Sequence, residues 1–219
     1  MLKINKKGLL IVISGPSGAG KDTICQKLIN ECNNLYLSIS MTTRKPRNTE
    51  ISGKDYFFVT KDEFEENIKN NIFLEYAIYN NNYYGTPKDK VEEMINKGKD
   101  VILVIDIKGA INIQKIIPSA LFIFIMPPDM ETLKNRLIGR KTESKEVVVE
   151  RFKTAYNEIN NYKKYNYVVI NDNLNECVGK VKAIIKAEKC RVDRIEEIDL
   201  GNKEEIIHEI LIDKEDKKI

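Results

Sequence analysis

The sequence predicts an α/β protein whose core is a parallel β-sheet flanked by helices and interrupted by two insertions. Three features point there. Leu9–Ser14, Val101–Ile105 and Ala120–Ile125 are unbroken apolar runs, as strands buried on both faces must be. Each run gives way to a helical pattern, the alternation that produces parallel pairing. Two stretches break that rhythm: 38–86 is polar with short strands and one helix, and 128–160 is richer in charge than any core helix.

Taken in order, the first run enters a glycine-rich loop and then a helix from Lys21 to Cys32. Leu35–Ser40 alternates like a strand, and Asp55–Val59 is another short one. Thr60-Lys-Asp-Glu63 is a capping box opening a helix that ends near Asn71. Ile72–Tyr79 reads as a strand and Asn80–Asn82 as a turn. Thr86-Pro87 then reads as N-cap and first residue of a helix that Gly98 ends. The second apolar run leads to Asp106 and a helix from Lys108, and Pro127-Pro128 closes the third. Charged helices over 129–139 and 144–161 follow, then a strand at Tyr167–Ile170 and a helix ending near Glu188. The expected division is a core of 1–37, 87–127 and 165–194, a subdomain at 38–86, a helical lid at 128–164 and a charged tail at 195–219.

The chain of 219 residues suits one domain with insertions, and a hydrophobic fraction of 42% suffices for a core. No apolar run approaches the roughly 20 residues of a membrane span. The early apolar run ends in a glycine loop, so it does not read as a signal peptide. Cys25, Cys32, Cys177 and Cys190 have neither CxxC nor zinc spacing, as expected of reduced thiols in the cytoplasm. A net charge of +3 disfavours a nucleic-acid partner. Of 36 basic residues only seven are arginine. Arg44 with Arg47, and Arg136, Arg140 and Arg151, form two groups in which a planar fork could grip phosphate; Arg191 and Arg194 read as scattered surface charge.

Gly15, Pro16, Ser17, Gly18, Ala19, Gly20 and Lys21 fit G-x-x-x-x-G-K directly after a buried strand and before a helix. Glycines let backbone N–H groups turn inward around phosphate oxygens, the helix N-terminus adds its positive end, and the lysine reaches the terminal phosphates. The core is therefore expected to be of the P-loop NTPase type, binding a triphosphate. The residue after the lysine, normally Ser or Thr for Mg²⁺, is Asp22, with Thr23 next. Either could serve the metal, the carboxylate because Mg²⁺ favours such ligands; Thr23 is the preferred hydroxyl.

Ser38–Arg47, Gly53–Val59, Phe73–Tyr76, Asn82–Thr86, Ile105–Gly109, Arg136–Glu143 and Asn171–Leu174, in that order, closely resemble guanylate kinases. The resemblance runs from residue 8 to residue 194. It implies Mg²⁺-dependent phosphoryl transfer from ATP to GMP in the cytoplasm, by a monomer or homodimer. It assigns Arg44, Arg47, Tyr56 and Tyr84 to the GMP phosphate and Glu75 to the guanine N1–H and 2-amino group. Ser40 and Thr86 fall at positions whose hydroxyls contact the base, with Gly85 beside them, and Asp106 lies next to acceptor and metal. Arg136, Arg140 and Arg151 match lid arginines over the transferring phosphoryl group, and Asn171 and Asp172 the turn lining adenine. Val104 departs from the acidic residue often found there. A phosphate nucleophile is already ionised, so no general base is required, and His208 reads as a bystander. The rivals are a kinase for another monophosphate, a non-catalytic binding module of the same fold, and a nucleotide switch. Intact Lys21 and lid arginines oppose the second; no N-K-x-D segment supports the third.

Overall fold

The first apolar run forms strand β1, Leu10–Ser14, buried along its whole length. In the computed structural model, which describes residues 7–47, 49–79, 81–139 and 145–195 (side chains of 145–148 excepted), β1 is the middle of a five-stranded sheet. Arg140, the 140–144 connection, Asn80 and the tail from 196, with His208, lie outside the described residues. After β1 come α1 (Lys21–Glu31), β2 (Leu35–Leu37), β3 (Met41–Thr42), β4 (Phe57–Phe58), α2 (Lys61–Lys69), β5 (Phe73–Tyr79) and β6 (Asn82–Pro87). Then follow α3 (Lys88–Asn96), β7 (Asp100–Val104), α4 (Ile107–Ile116), β8 (Leu121–Met126), α5 (Met130–Ile138), α6 (Lys145–Ile159), β9 (Tyr167–Ile170) and α7 (Leu174–Glu188).

The core sheet has the order β2-β7-β1-β8-β9, every neighbour parallel. Alternate residues of β1 explain why its run is continuously apolar. Ile11 and Ile13 pack with Ile24, Cys25 and Leu28 of α1 and Val178, Val181 and Ile185 of α7. Leu10 and Val12 face the other way, against Val91 of α3 and Ala110 and Ile113 of α4. Both faces are thus covered, and ligand sites in such sheets form beyond the strands' C-terminal ends. The order reverses around β1, placing the glycine loop at the switch point.

A second sheet, β4-β3-β6-β5, is built entirely from residues 41–87. Here the sequence expectations needed most correction. Leu35–Ser40 is not one strand: β2 stops at Leu37, and a separate β3 starts at Met41 in the other sheet. The Thr86-Pro87 pair does not open α3. Both residues belong to β6, Thr86 pairs with Glu75 across the ladder, and α3 begins at Lys88 with Pro87 at the N-cap position and no side-chain cap. The cross-strand partner outweighed a local signal. The capping box held: Thr60 and Glu63 bond each other's backbone N–H at the start of α2. Helices α5 and α6 pack through Leu133, Leu137 and Ala155. No described helix is long and apolar enough to cross a membrane.

Arg191 is an exposed charge, as expected, but Arg194 is not a scattered one. Glu188, 2% exposed at the end of α7, accepts from Tyr167 Oη at 2.6 Å and Arg194 Nη2 at 2.9 Å, with Arg191 Nη1 at 3.3 Å. Arg194 Nη2 also donates to the Ser119 carbonyl at 3.0 Å, tying the end of α7 to the start of β8. Removing the carboxylate leaves a mostly buried guanidinium without its counter-charge. Glu188→Ala is expected to lower the unfolding free energy by about 2 kcal/mol, seen as a lower urea midpoint with an unchanged m-value.

Candidate active site

The C-terminal ends of β1 and β7 open into a cleft. Gly15, Ser17, Gly18, Lys21 and Asp22 line one side, and Ser40, Arg44, Tyr56, Glu75 and Tyr84 the other. Arg47, Gly85 and Asp106 also reach it.

Two glycines shape the loop. Gly15, at φ +145°, approaches β8 so closely that a Cβ would lie 2.2 Å from the Ile125 carbonyl oxygen. Gly20, at φ +90°, stands at the N-cap of α1, where a Cβ would meet Asn171 Nδ2 at 2.4 Å. That same Nδ2 donates to the Ala19 carbonyl at 2.8 Å, so buried Asn171, at the end of β9, clamps the loop backbone. Lys21 curls over the loop, donating from Nζ to the carbonyls of Gly15 at 2.7 Å and Pro16 at 3.1 Å. The arrangement is a backbone nest capped by a cation and backed by a helix N-terminus.

Across the cleft, Arg44 lies 5.5 Å over the Tyr56 ring, and Tyr56 meets Tyr84 edge-on at 6.0 Å. Glu75, 6% exposed on β5, accepts from Thr86 Oγ1 at 2.8 Å. A Cβ on Gly109 would lie 2.8 Å from Glu75 Oε2, so the glycine leaves room for that carboxylate. Burial raises the Glu75 pKa to about 7; the Thr86 bond opposes the rise and the charge of Asp106 adds to it. Asp106 caps α4 through the Gly109 N–H at 2.7 Å, and burial pushes its carboxyl upward too. Burial raises the Tyr56 phenol to about 12, so it stays a donor.

Helix α6 leans over the loop. Arg151 Nη2 donates to Ser17 Oγ at 2.5 Å. Arg136 of α5 donates from Nη2 to the Asn171 carbonyl at 3.0 Å. Neither guanidinium lines the cleft, nor do Pro16, Ala19, Thr23, Thr86, Asn171 and exposed Asp172. Thr23, the preferred metal hydroxyl, points to solvent, whereas Asp22 faces the cleft. Mg²⁺ commonly takes one or two carboxylates and completes its shell from phosphates and water. Asp22 beside the phosphate loop fits that donor set; among the described residues no group of three or more His, Cys, Asp or Glu could hold a metal.

A family model described as guanylate kinase matches residues 7–188. The chain belongs to the guanylate kinase family. A guanylate kinase of Clostridium tetani is 58% identical over 208 residues, covering 95% of this chain and all of that one. One from Caldanaerobacter subterraneus subsp. tengcongensis is 53% identical over 206 residues, covering 94% and 100%. The crystal structure of guanylate kinase from Anaplasma phagocytophilum aligns with a TM-score of 0.74 at 33% identity, covering 87% of this chain and 91% of that one.

Within this guanylate kinase framework the cleft holds residues that the sequence reading did not single out. Glu158 of α6 lines it; burial lifts its carboxyl above the usual range, against the Lys21 charge and a Ser17 backbone N–H. Its place seven residues after Arg151, two turns along one helix face, was a readable signal. Tyr79 and Ala77 of β5 and Ile105 also line the cleft, as does Val104, which brings no charge.

Proposed function

We propose that the cleft transfers the terminal phosphoryl group of ATP to the phosphate of GMP, giving ADP and GDP. ATP is taken by the loop after β1 and GMP by the second sheet. One observation carries this reading: two anion-binding surfaces, the nest with Lys21 and the Arg44–Tyr56–Tyr84 cluster, face each other across one cleft with buried Glu75 beside them. Arg44, Arg47, Tyr56 and Tyr84 hold the acceptor phosphate, and Glu75 accepts from guanine N1–H and the 2-amino group, with Ser40, Gly85, Thr86 and Asp106 around the base. The acceptor oxygen is already anionic, so the residues position it in line and neutralise charge on the transferring group. Lys21, Arg136, Arg140 and Arg151 supply that neutralisation, and Asn171 and Asp172 border the adenine. Asp22, which lines the cleft beside the phosphate loop, is the carboxylate that would hold Mg²⁺, and the ion would supply positive charge to offset that of the phosphates. Segments 38–86 and 128–164 close over the substrates and exclude water, which would otherwise accept the phosphoryl group. The cytoplasm suits a chain whose four cysteines are all free thiols.

A phosphoryl-transfer assay across the monophosphates tests the reading. ADP release is expected with GMP; release that depends on AMP or UMP and not on GMP would overturn the acceptor.

A further inference from the structure

Three donors converge on Glu50, a residue outside the roles assigned above. Arg44 gives it two arms of its fork, Nη1 to Oε2 at 2.9 Å and Nη2 to Oε1 at 2.8 Å. The Arg47 backbone N–H adds a bond to Oε2 at 2.7 Å, and Arg47 Nη1 lies 3.6 Å from Oε1. The Arg44 and Glu50 side chains are only 17% and 14% exposed, unlike a solvated surface pair. Burial opposes the Glu50 charge, yet these donors hold its carboxyl below the usual range.

The fork's hydrogens can be counted. A guanidinium carries five N–H bonds on two usable edges. Both Nη1 hydrogens are engaged, by Glu50 and by the Lys45 carbonyl at 2.7 Å, and one Nη2 hydrogen goes to Glu50. Nε–H and the second Nη2–H make the other edge, also bidentate; the Tyr84 hydroxyl, assigned above to the same phosphate, also hydrogen-bonds the guanidinium. The plane is set as well, since the guanidinium stacks over Tyr56 at 5.5 Å and Phe58 at 5.8 Å.

We infer that Glu50 is a positioning residue for the acceptor phosphate: it grips Arg44 by the outer edge and thereby presents the Nε/Nη2 edge to the ligand. Glu50 stays in place when the phosphate arrives. It also anchors the backbone at Arg47, so both arginines are ordered before binding and lose less freedom on it. The inference rests on the proposed assignment of the GMP phosphate to Arg44 and Arg47.

Charge alone predicts the opposite outcome, which makes the test sharp. Glu50→Gln removes a negative charge near a dianion, so simple electrostatics would tighten GMP binding, whereas loss of positioning weakens it. Calorimetric titration of the full chain with GMP and with guanosine, which lacks the phosphate, is the experiment. Glu50→Gln is expected to weaken GMP about tenfold, to leave guanosine unchanged, and to raise the KM for GMP without lowering kcat at saturation. Unchanged or tighter GMP binding overturns the inference, as does a parallel loss for guanosine. Should Glu50→Gln not fold, Glu50→Asp, which keeps the charge but shortens the reach, is expected to weaken GMP alone; wild-type affinity overturns the inference. Arg44→Met separates the two levels. If it leaves GMP affinity intact, the phosphate assignment falls and the inference with it; if it weakens GMP while the Glu50 variants do not, only the role of Glu50 falls.

Discussion

Lys21→Met is expected to lower kcat about 10³-fold while leaving GMP affinity unchanged. Methionine keeps most of the lysine's length and apolar stem, so the substitution removes little besides the cation. Its Nζ is tethered to the Gly15 and Pro16 carbonyls, across the mouth of the nest. In the function proposed above, Nζ leaves those carbonyls for the terminal phosphates of ATP, where charge spreads over the equatorial oxygens during transfer. The proposed GMP contacts lie on the opposite wall and on another sheet, so acceptor binding does not depend on the lysine. Steady-state kinetics with a GMP titration check both halves. A near-normal kcat would move the neutralising role to the guanidiniums of α5 and α6. Loss of GMP affinity in parallel would mean that the variant had collapsed the cleft. Retained GMP binding without turnover is also what separates a true phosphotransferase from a binding module of the same fold.

What the sequence disclosed, and what it did not, follows from the range of the interactions involved. The core strands were legible because burial on both faces leaves a local mark: Ile11 and Ile13 serve one helical layer, Leu10 and Val12 the other, and in β1 only the last residue, Ser14, is polar. The glycine loop was legible because its G-x-x-x-x-G-K spacing is local, although the atoms that crowd Gly15 and Gly20 belong to distant Ile125 and Asn171. The Thr60 capping box closes within three residues and was equally plain. Thr86-Pro87 misled because its local signal is a good helix start, while its structural partner, Glu75, lies on another strand. Arg194 misled for the same reason, its partners being Glu188 and Ser119. Glu50 follows Arg44 by six residues in a loop, a spacing with no periodicity to betray the contact. Asn171 was placed near the nucleotide from resemblance alone, and its bond to Ala19 gives that position a structural duty that spacing could not reveal.

Glu75 carries the second large effect, and the pH dependence makes it distinctive. A carboxylate can accept from two N–H groups of guanine, whereas glutamine replaces one acceptor with a donor and sets donor against donor. In a site that is 6% exposed no water repairs the mismatch, and Glu75→Gln is expected to lower kcat/KM for GMP about 10³-fold. Without ligand the sign reverses. Burial raises the folded-state pKa from 4.5 to about 7. The stability associated with the protonated carboxyl is therefore complete below the unfolded value and is lost as pH rises through the folded one. Glutamine resembles the protonated acid at every pH. Glu75→Gln should accordingly match the wild type in unfolding free energy near pH 4.5 and exceed it by on the order of 3 kcal/mol at about pH 8. Guanosine reports the other side of the linkage, since it has no phosphate to titrate in this range and needs the carboxylate ionised. Its affinity for the wild type should fall roughly tenfold per pH unit below about pH 7, and that slope should vanish in the variant. A flat guanosine profile, together with no gain in stability for Glu75→Gln at high pH, would show that the carboxyl titrates normally and that burial beside Thr86 and Gly109 does not set its charge.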